Sequence, residues 1–277
     1  MSRGNGNGSG DPADAVLRIA IHGASGRMGQ QVTRAAAAEG IQVVGAIVSR
    51  GSPHIGRDVG EVAGVGTLGV ALSDDTAAGL LGADVVVDFS RPEVLPRLLQ
   101  LASREKVAVV SGTTRLDTTG ERLLDEAARV VPVLWSPNTS LGVHVLAQIA
   151  AYAARQLGLA FDVEIVEAHH RGKVDAPSGT ATRLAEALRE ARADLSPVYG
   201  REGNVGPRRS DEIGVFAVRG GDVIGDHTVH LLGPGERLEL THRATSRELF
   251  ARGALRAARY LRGRAPGRYT MADVMGG

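Results

Sequence analysis

The sequence predicts a doubly wound α/β domain built on a parallel sheet, followed by a second α+β domain with a mixed sheet. Three observations carry this expectation. Short apolar runs alternate with helical patterns from Val16 to Thr139, the first of these runs feeds a glycine-rich turn that opens a helix, and after Thr139 longer segments are joined by Gly-rich turns.

The first strand is VLRIAIH (16–22), the turn and helix are GASGRMGQQVTRAAAAEG, and the second strand is IQVVGAIV (41–48). Later strands are DVVVDF (84–89), VAVVS (107–111) and PVLWS (132–136), separated by helices such as PEVLPRLLQLAS and TGERLLDEAARV. Continuous Val runs flanked by helices are what a sheet covered on both faces requires. Then come a long helix over 141–161, a strand FDVEIVEA (161–168), a helix near 179–193, and strands within 214–242. The pattern SRELFARGALRAARYLRG is helical again and is expected to return to the first domain. The boundaries expected are a disordered tail over 1–15, a dinucleotide-binding domain over 16–139 joined by the terminal helix in 246–277, and a substrate and oligomerisation domain over 140–245.

Composition narrows the classes of function. The 277 residues carry 32 Lys+Arg against 31 Asp+Glu, so no global field recruits nucleic acid or a membrane surface, and anion binding has to come from local groups. The absence of Cys excludes disulfides, thiolate metal sites and a cysteine nucleophile, and suits a cytoplasmic protein. The tail has no apolar stretch of the signal-peptide kind, and His144, Gln148 and Arg155 argue against a membrane span in the most apolar segment. The expected ligand is small.

Gly23, Gly26 and Gly29 in GASGRMG follow a predicted strand and open a predicted helix. Glycine permits the tight turn and close backbone approach, and free helix N–H groups attract a pyrophosphate. Residues Gly23, Ala24, Ser25, Gly26, Arg27 and Met28 are therefore candidate cofactor contacts. SGTT (111–114) and SPNT (136–139) lie at the carboxyl ends of later strands, where doubly wound sheets place ligands; either could also be a plain turn. The second strand ends in Ser49 and Arg50, with no acidic residue before Asp58. An acidic residue there would accept from the ribose hydroxyls, whereas a guanidinium and a hydroxyl suit a 2′-phosphate, so NADPH is expected over NADH.

EAHHRGKVDAPSGTA (167–181) concentrates proton donors and anion binders. Gly172 and Pro177 make it a loop that can line a cleft, His169 and Lys173 are four positions apart, and Ser178 is placed to cap a helix starting at Gly179 and Thr180. With Lys173 and His170 beside it, this helix start suits a small carboxylate or dicarboxylate. No metal is expected, since adjacent histidines rarely ligate one ion and no further ligand has the right spacing.

These segments, with RGGDVIGDHT and GERLELTHRATSR, closely resemble the 4-hydroxy-tetrahydrodipicolinate reductase family, formerly called dihydrodipicolinate reductase, from about Val16 to about Val274. The resemblance implies a Rossmann-like first domain and NAD(P)H-dependent reduction of a cyclic dicarboxylate in diaminopimelate and lysine biosynthesis. It implies His169 as proton donor, Lys173 as catalytic lysine, and His170, Gly179 and Thr180 as substrate contacts. Its cofactor segments fall on Gly23 to Met28, on Gly112, Thr113 and Thr114, and on Ser136, Pro137, Asn138 and Thr139. Homotetramers built through the second domain are usual in the family. This chain departs from the family pattern at Arg115, where Gly is usual, at Thr139, where an aromatic or Met is frequent, and at Ser49, where an acidic residue is frequent. Two other readings remain. A dinucleotide-sensing repressor would need a helix-turn-helix that the tail does not show. Another Rossmann oxidoreductase acting on a small carboxylate would share the glycine loop without needing the HHxxKxDAPSGT pattern.

Overall fold

The computed structural model describes residues 16–276; the predicted tail over 1–15 lies outside the described residues. A seven-stranded sheet is formed by β1 (Arg18–His22), β2 (Gln42–Ile47), β3 (Leu72–Ser73), β4 (Val85–Asp88), β5 (Ala108–Ser111), β6 (Pro132–Trp135) and β12 (Gly267–Tyr269). The spatial order is β12-β6-β5-β4-β1-β2-β3, with every pairing parallel. The order reverses between β1 and β4, which is where a doubly wound sheet opens its ligand crevice.

Both faces are covered, as the Val runs require. On one side α1 (Arg27–Ala38) and α8 (Glu248–Leu261) pack Val32, Ala35 and Ala36 with Ala254, Leu255 and Ala258 over Ile19, Ile21, Val85 and Val87. The other side packs α3 (Thr76–Leu80), α4 (Leu95–Glu105) and α5 (Thr118–Ala128) through Leu80, Leu98, Leu99 and Leu124. The small alanine side chains let α1 and α8 approach closely. Gly253 lets α8 press on the chain at Thr139, where a Cβ would lie 1.8 Å from the Thr139 carbonyl oxygen. The terminal segment packs on the first sheet through α8 and also contributes the edge strand β12 and the short α9 (Met271–Val274).

The second sheet is mixed. Its order is β11-β10-β7-β9-β8, from β7 (Asp162–His169), β8 (Ser196–Val198), β9 (Glu212–Arg219), β10 (Gly225–Gly233) and β11 (Glu236–Ala244). The strands β7, β8 and β9 are parallel, while β10 runs antiparallel to β7 and β11. The helices α6 (Leu141–Leu157) and α7 (Gly179–Ala191) cover one face through Leu146, Ala150, Leu184 and Leu188, which meet Val163, Ile165, Val229 and Leu231. Strand alternation sends Glu164, Val166, Phe216 and Val218 to the opposite face. There Arg201 and Arg208 both bond the Glu164 carboxylate. Among the described residues, no helix is long and apolar enough to cross a membrane.

Candidate active site

At the crevice of the first sheet, Gly23 adopts φ +81°, and its N–H and that of Ala24 both donate to the Ile47 carbonyl, at 2.9 and 3.0 Å. The turn is thereby tied to the end of β2, which brings the exposed Ser49 and Arg50 to the same edge. A Cβ on Gly29 would lie 2.2 Å from the Gly23 oxygen, so helix and turn meet backbone to backbone. Gly26 is the N-cap of α1 and supplies no side-chain cap. The first-turn N–H groups are left for an outside acceptor, and this local structure fits a dinucleotide pyrophosphate.

A carboxylate that sequence reasoning overlooked organises the neighbouring loops. Asp88, fully buried at the end of β4, accepts from His22 Nδ1 (2.8 Å), Ser111 Oγ and Thr113 Oγ1 (2.7 Å each) and the Ser90 N–H (3.1 Å). Burial opposes its ionisation, yet the bonds from His22, Ser90 and Thr113 hold it below the usual carboxylate range. Gly112 and Thr113 are consequently buried and locked in place, while Thr114 is exposed. Trp135 Nε1 donates to the Thr113 carbonyl. Arg115 has φ +61°, a left-handed conformation that favours glycine, which is the residue the family resemblance leads one to expect here.

The two domains meet at SPNT. Asn138 donates through Nδ2 to Thr180 Oγ1 (2.7 Å), accepts from the Ser140 N–H at Oδ1, and accepts at its carbonyl from Ser136 Oγ. Thr139 is buried, with its hydroxyl donating to the Phe250 carbonyl, so its side chain supports the junction.

Between these loops and the second sheet lies a cavity of about 620 Å³. Its walls bring together His169, Lys173, Gly179, Thr180, Thr114, Ser136, Pro137 and Asn138 from the sequence-predicted set, with Arg115 and Asp175 added. The glycine loop, Ser49, Arg50, Gly112, Thr113, Thr139 and His170 do not line it. His170 sits on the same loop, where desolvation and the charges of Arg247, His169, Arg27 and Lys173 push it below the usual histidine range.

His169 ends β7 and is almost fully buried. Its Nδ1 contacts Glu167 Oε2 at 2.5 Å, and Glu167 also accepts two bonds from Arg219 (2.8 and 2.7 Å) and one from the Ser178 N–H (3.0 Å). Burial alone would raise Glu167, but these donors override it and bring it down to about 2. Gly225 stands beside the other ring nitrogen, where a Cβ would lie 3.0 Å from His169 Nε2. Lys173 Nζ donates to Asp175 at 2.9 Å, and Arg115 approaches the same carboxylate at 3.8 Å. Ser178 caps α7 as expected, accepting from the Ala181 N–H. Glu167, Asp175, Arg219 and His227 are functional candidates that sequence reasoning missed. The EAHH and KVDA segments contain the first two, while Arg219 and His227 come from distant strands.

Two family models divide the chain at the junction just described: dihydrodipicolinate reductase, N-terminus, matches residues 17–139, and dihydrodipicolinate reductase, C-terminus, matches residues 142–275. The chain belongs to the dihydrodipicolinate reductase family. Among family relatives, the 4-hydroxy-tetrahydrodipicolinate reductase of Anaeromyxobacter dehalogenans (strain 2CP-C) is 52% identical over 266 residues, covering 94% of this chain and 98% of the relative. That of Alkalilimnicola ehrlichii is 48% identical over 265 residues, with 94% and 99% covered. A dihydrodipicolinate reductase structure with bound dipicolinate, from Paenisporosarcina sp. TG-14, superposes with a TM-score of 0.74 at 22% identity, covering 94% and 99% of the two chains. The expected family and fold class are thus borne out, and within the family fold the cavity lies where the two matched halves meet.

Proposed function

We propose that the chain reduces 4-hydroxy-tetrahydrodipicolinate to tetrahydrodipicolinate, taking up a hydride and a proton and releasing the 4-hydroxyl as water, with the cavity between its domains as the reaction chamber. It is an NAD(P)H-dependent oxidoreductase of diaminopimelate and lysine biosynthesis. The observation that carries the reading is the convergence on one cavity of an imidazole, an ammonium and a helix start, directly beside the ligand edge of a dinucleotide-binding sheet.

The uncapped α1 start would hold the cofactor pyrophosphate, and the segments Gly112–Thr114 and Ser136–Thr139 would flank its reactive end. When bound, the cofactor supplies the hydride. His169, with Nδ1 tied to Glu167, keeps Nε2 for proton donation, and the missing side chain at Gly225 leaves that nitrogen open. Lys173 exchanges Asp175 for a substrate carboxylate and offsets its charge, and the Gly179 and Thr180 N–H groups receive the carboxylate at the start of α7. His170 completes the substrate contacts from the loop edge. Ser49 and Arg50, exposed beside the glycine turn, favour a cofactor bearing a 2′-phosphate, hence NADPH. The protein acts in the cytoplasm as a homotetramer through the second domain. Support for the assembly is the second sheet's outer face, which carries Val218, 53% exposed, and no covering helix among the described residues.

The test is turnover of freshly generated hydroxy-tetrahydrodipicolinate against a panel of keto acids, followed by loss of reduced-nicotinamide absorbance. General acids contribute ~10² to 10⁴ in rate, so His169→Gln and Lys173→Ala should each lower kcat strongly at near-normal cofactor affinity. Undiminished turnover in either variant removes that residue from the mechanism, and turnover of keto acids alone removes the substrate assignment.

A further inference from the structure

We propose that Glu167 is the positioning residue of the reaction, a buried carboxylate that holds the proton donor His169 and the anion-binding start of α7 in one register. The inference rests on the reading of His169 as proton donor. It starts from a fully buried carboxylate on β7, two residues before the cavity-lining His169, among groups that only the tertiary fold brings to it.

Four groups surround Glu167, and each comes from a different part of the fold. On its own strand, His169 is two residues on and therefore on the same face, with Nδ1 against Oε2. On β10, His227 is the direct cross-strand partner of Glu167. On β9, Arg219 stands opposite His169 in the parallel register and reaches Glu167 with both terminal guanidinium nitrogens. From the loop, the Ser178 N–H donates to Oε1. The two oxygens thus have separate duties: Oε2 orients the imidazole, and Oε1 fixes the residue that caps α7. Movement of the carboxylate would displace the proton donor and the carboxylate cradle together.

The charges are arranged so that this carboxylate stays ionised. Arg219 also donates to the Asp175 carbonyl at 2.7 Å, which ties the Lys173 loop into the same cluster. His227 is pushed down to about 3 by burial and by His169 beside it, so it remains neutral and adds no competing charge. Its Nε2 lies 3.1 Å from Ser178 Oγ, and its ring stands edge-on to His169 at 5.2 Å. The titratable and charged groups around the imidazole are Glu167 from β7, Arg219 from β9, His227 from β10, His242 from β11, His144 from α6, Arg183 from α7, and Arg115, His170, Lys173 and Asp175 from the loops. Glu167 is the anion in hydrogen-bond contact, so charge that changes on the imidazole during proton transfer meets it at the shortest range.

Opposite signs in two variants give the test. Glu167→Gln keeps the shape and removes the charge, so kcat should fall about 10- to 100-fold with the substrate KM and NADPH affinity within a few fold of wild type. The basic limb of its pH–rate profile should move to lower pH. Arg219→Gln removes the opposing cation, and its basic limb should move to higher pH, a reversal that a merely structural role would not produce. In the double variant with His169→Gln, the Glu167→Gln loss should disappear, because a residue acting through another is not additive with it. Additive losses, or a basic limb unmoved in both charge variants, overturn the proposal. Should Glu167→Gln fail to fold, the basic limb of Arg219→Gln, expected at higher pH, carries the test. If His169→Gln alone turns over normally, the proton-donor reading itself has failed, a different result from wild-type behaviour in Glu167→Gln alone.

Discussion

Replacing Gly179 with valine isolates the ligand's view of the helix start from the protein's own. An added Cβ at Gly179 meets no atom within 4 Å, and its φ is not in the left-handed region. The residue is exposed, yet it lines the cavity. The substitution is therefore nearly silent to the fold, with only a few tenths of a kcal/mol expected from helix propensity. A bound carboxylate has no such freedom. The first N–H groups of a helix have no intrahelical acceptor, and the cap side chain of Ser178 serves Ala181, so Gly179 and Thr180 present the two donors nearest the cavity. A hydrogen bond to a charged group contributes about 1.5–3 kcal/mol. Losing one of the two corresponds to a rise in substrate KM of roughly 10- to 150-fold. The assay is steady-state kinetics with competitive inhibition by pyridine-2,6-dicarboxylate, beside a thermal melt. An unchanged KM and inhibition constant in a normally folded Gly179→Val protein would show that this turn only caps its helix.

Other outcomes follow from the same geometry. Gly29→Ala forces a Cβ against the Gly23 and Ala24 backbone, which cannot rotate away, so overpacking of about 1–3 kcal/mol should appear as weaker cofactor binding with the substrate cradle unaffected; NADPH titration checks it, and wild-type affinity contradicts it. Tighter binding of NADPH than NADH should shrink in Arg50→Ala and at high salt, and a gap indifferent to both would free that strand end from phosphate recognition. Because His227 stays neutral down to about pH 3 while an unfolded histidine protonates near 6.5, the unfolded state binds more protons between those values, and stability should decline as pH falls through that window. His227→Phe should flatten the decline in denaturant melts, whatever its absolute stability; an equally steep variant would assign the loss to other groups.

What could be read from the chain follows the range of the forces involved. The first-domain strands were legible because burial on both faces leaves little choice but Val and Ile, as in Val85–Val87 and Val109–Val110. The glycine turn and the Ser178 cap were legible because each is a local device. The short α2 (Val59–Ala63), β3 and α3 were not, since segments of two to five residues carry no period. Nor was β12, a three-residue edge strand that joins β6 across more than a hundred residues of chain. Asp88 was hidden at the end of a Val run, where a charged residue reads as the strand's solvent end. Glu167 stood in plain view within EAHH, but its meaning depends on Arg219 and His227, which only the register of β7 with β9 and β10 supplies.

The two halves of the chain have separate cores, and the site exists only where they are joined, so the junction has to be more exact than a flexible linker would allow. Asn138 provides this by engaging its side chain at both ends and its carbonyl as well, with Thr180, Ser140 and Ser136 as partners. Gly253 lets α8 press against the Thr139 carbonyl, and Thr139 returns a bond to Phe250. The terminal helix thereby clamps the junction from the first domain's side, while Asn138 ties it to the start of α7 through Thr180. Reduction of this kind needs a hydride and a proton delivered to one small molecule. On the proposed reading, a hydride-binding edge on one core and a proton donor on the other can meet that demand only if their separation is set, and the bonds of Asn138 and Thr139 hold the junction between them.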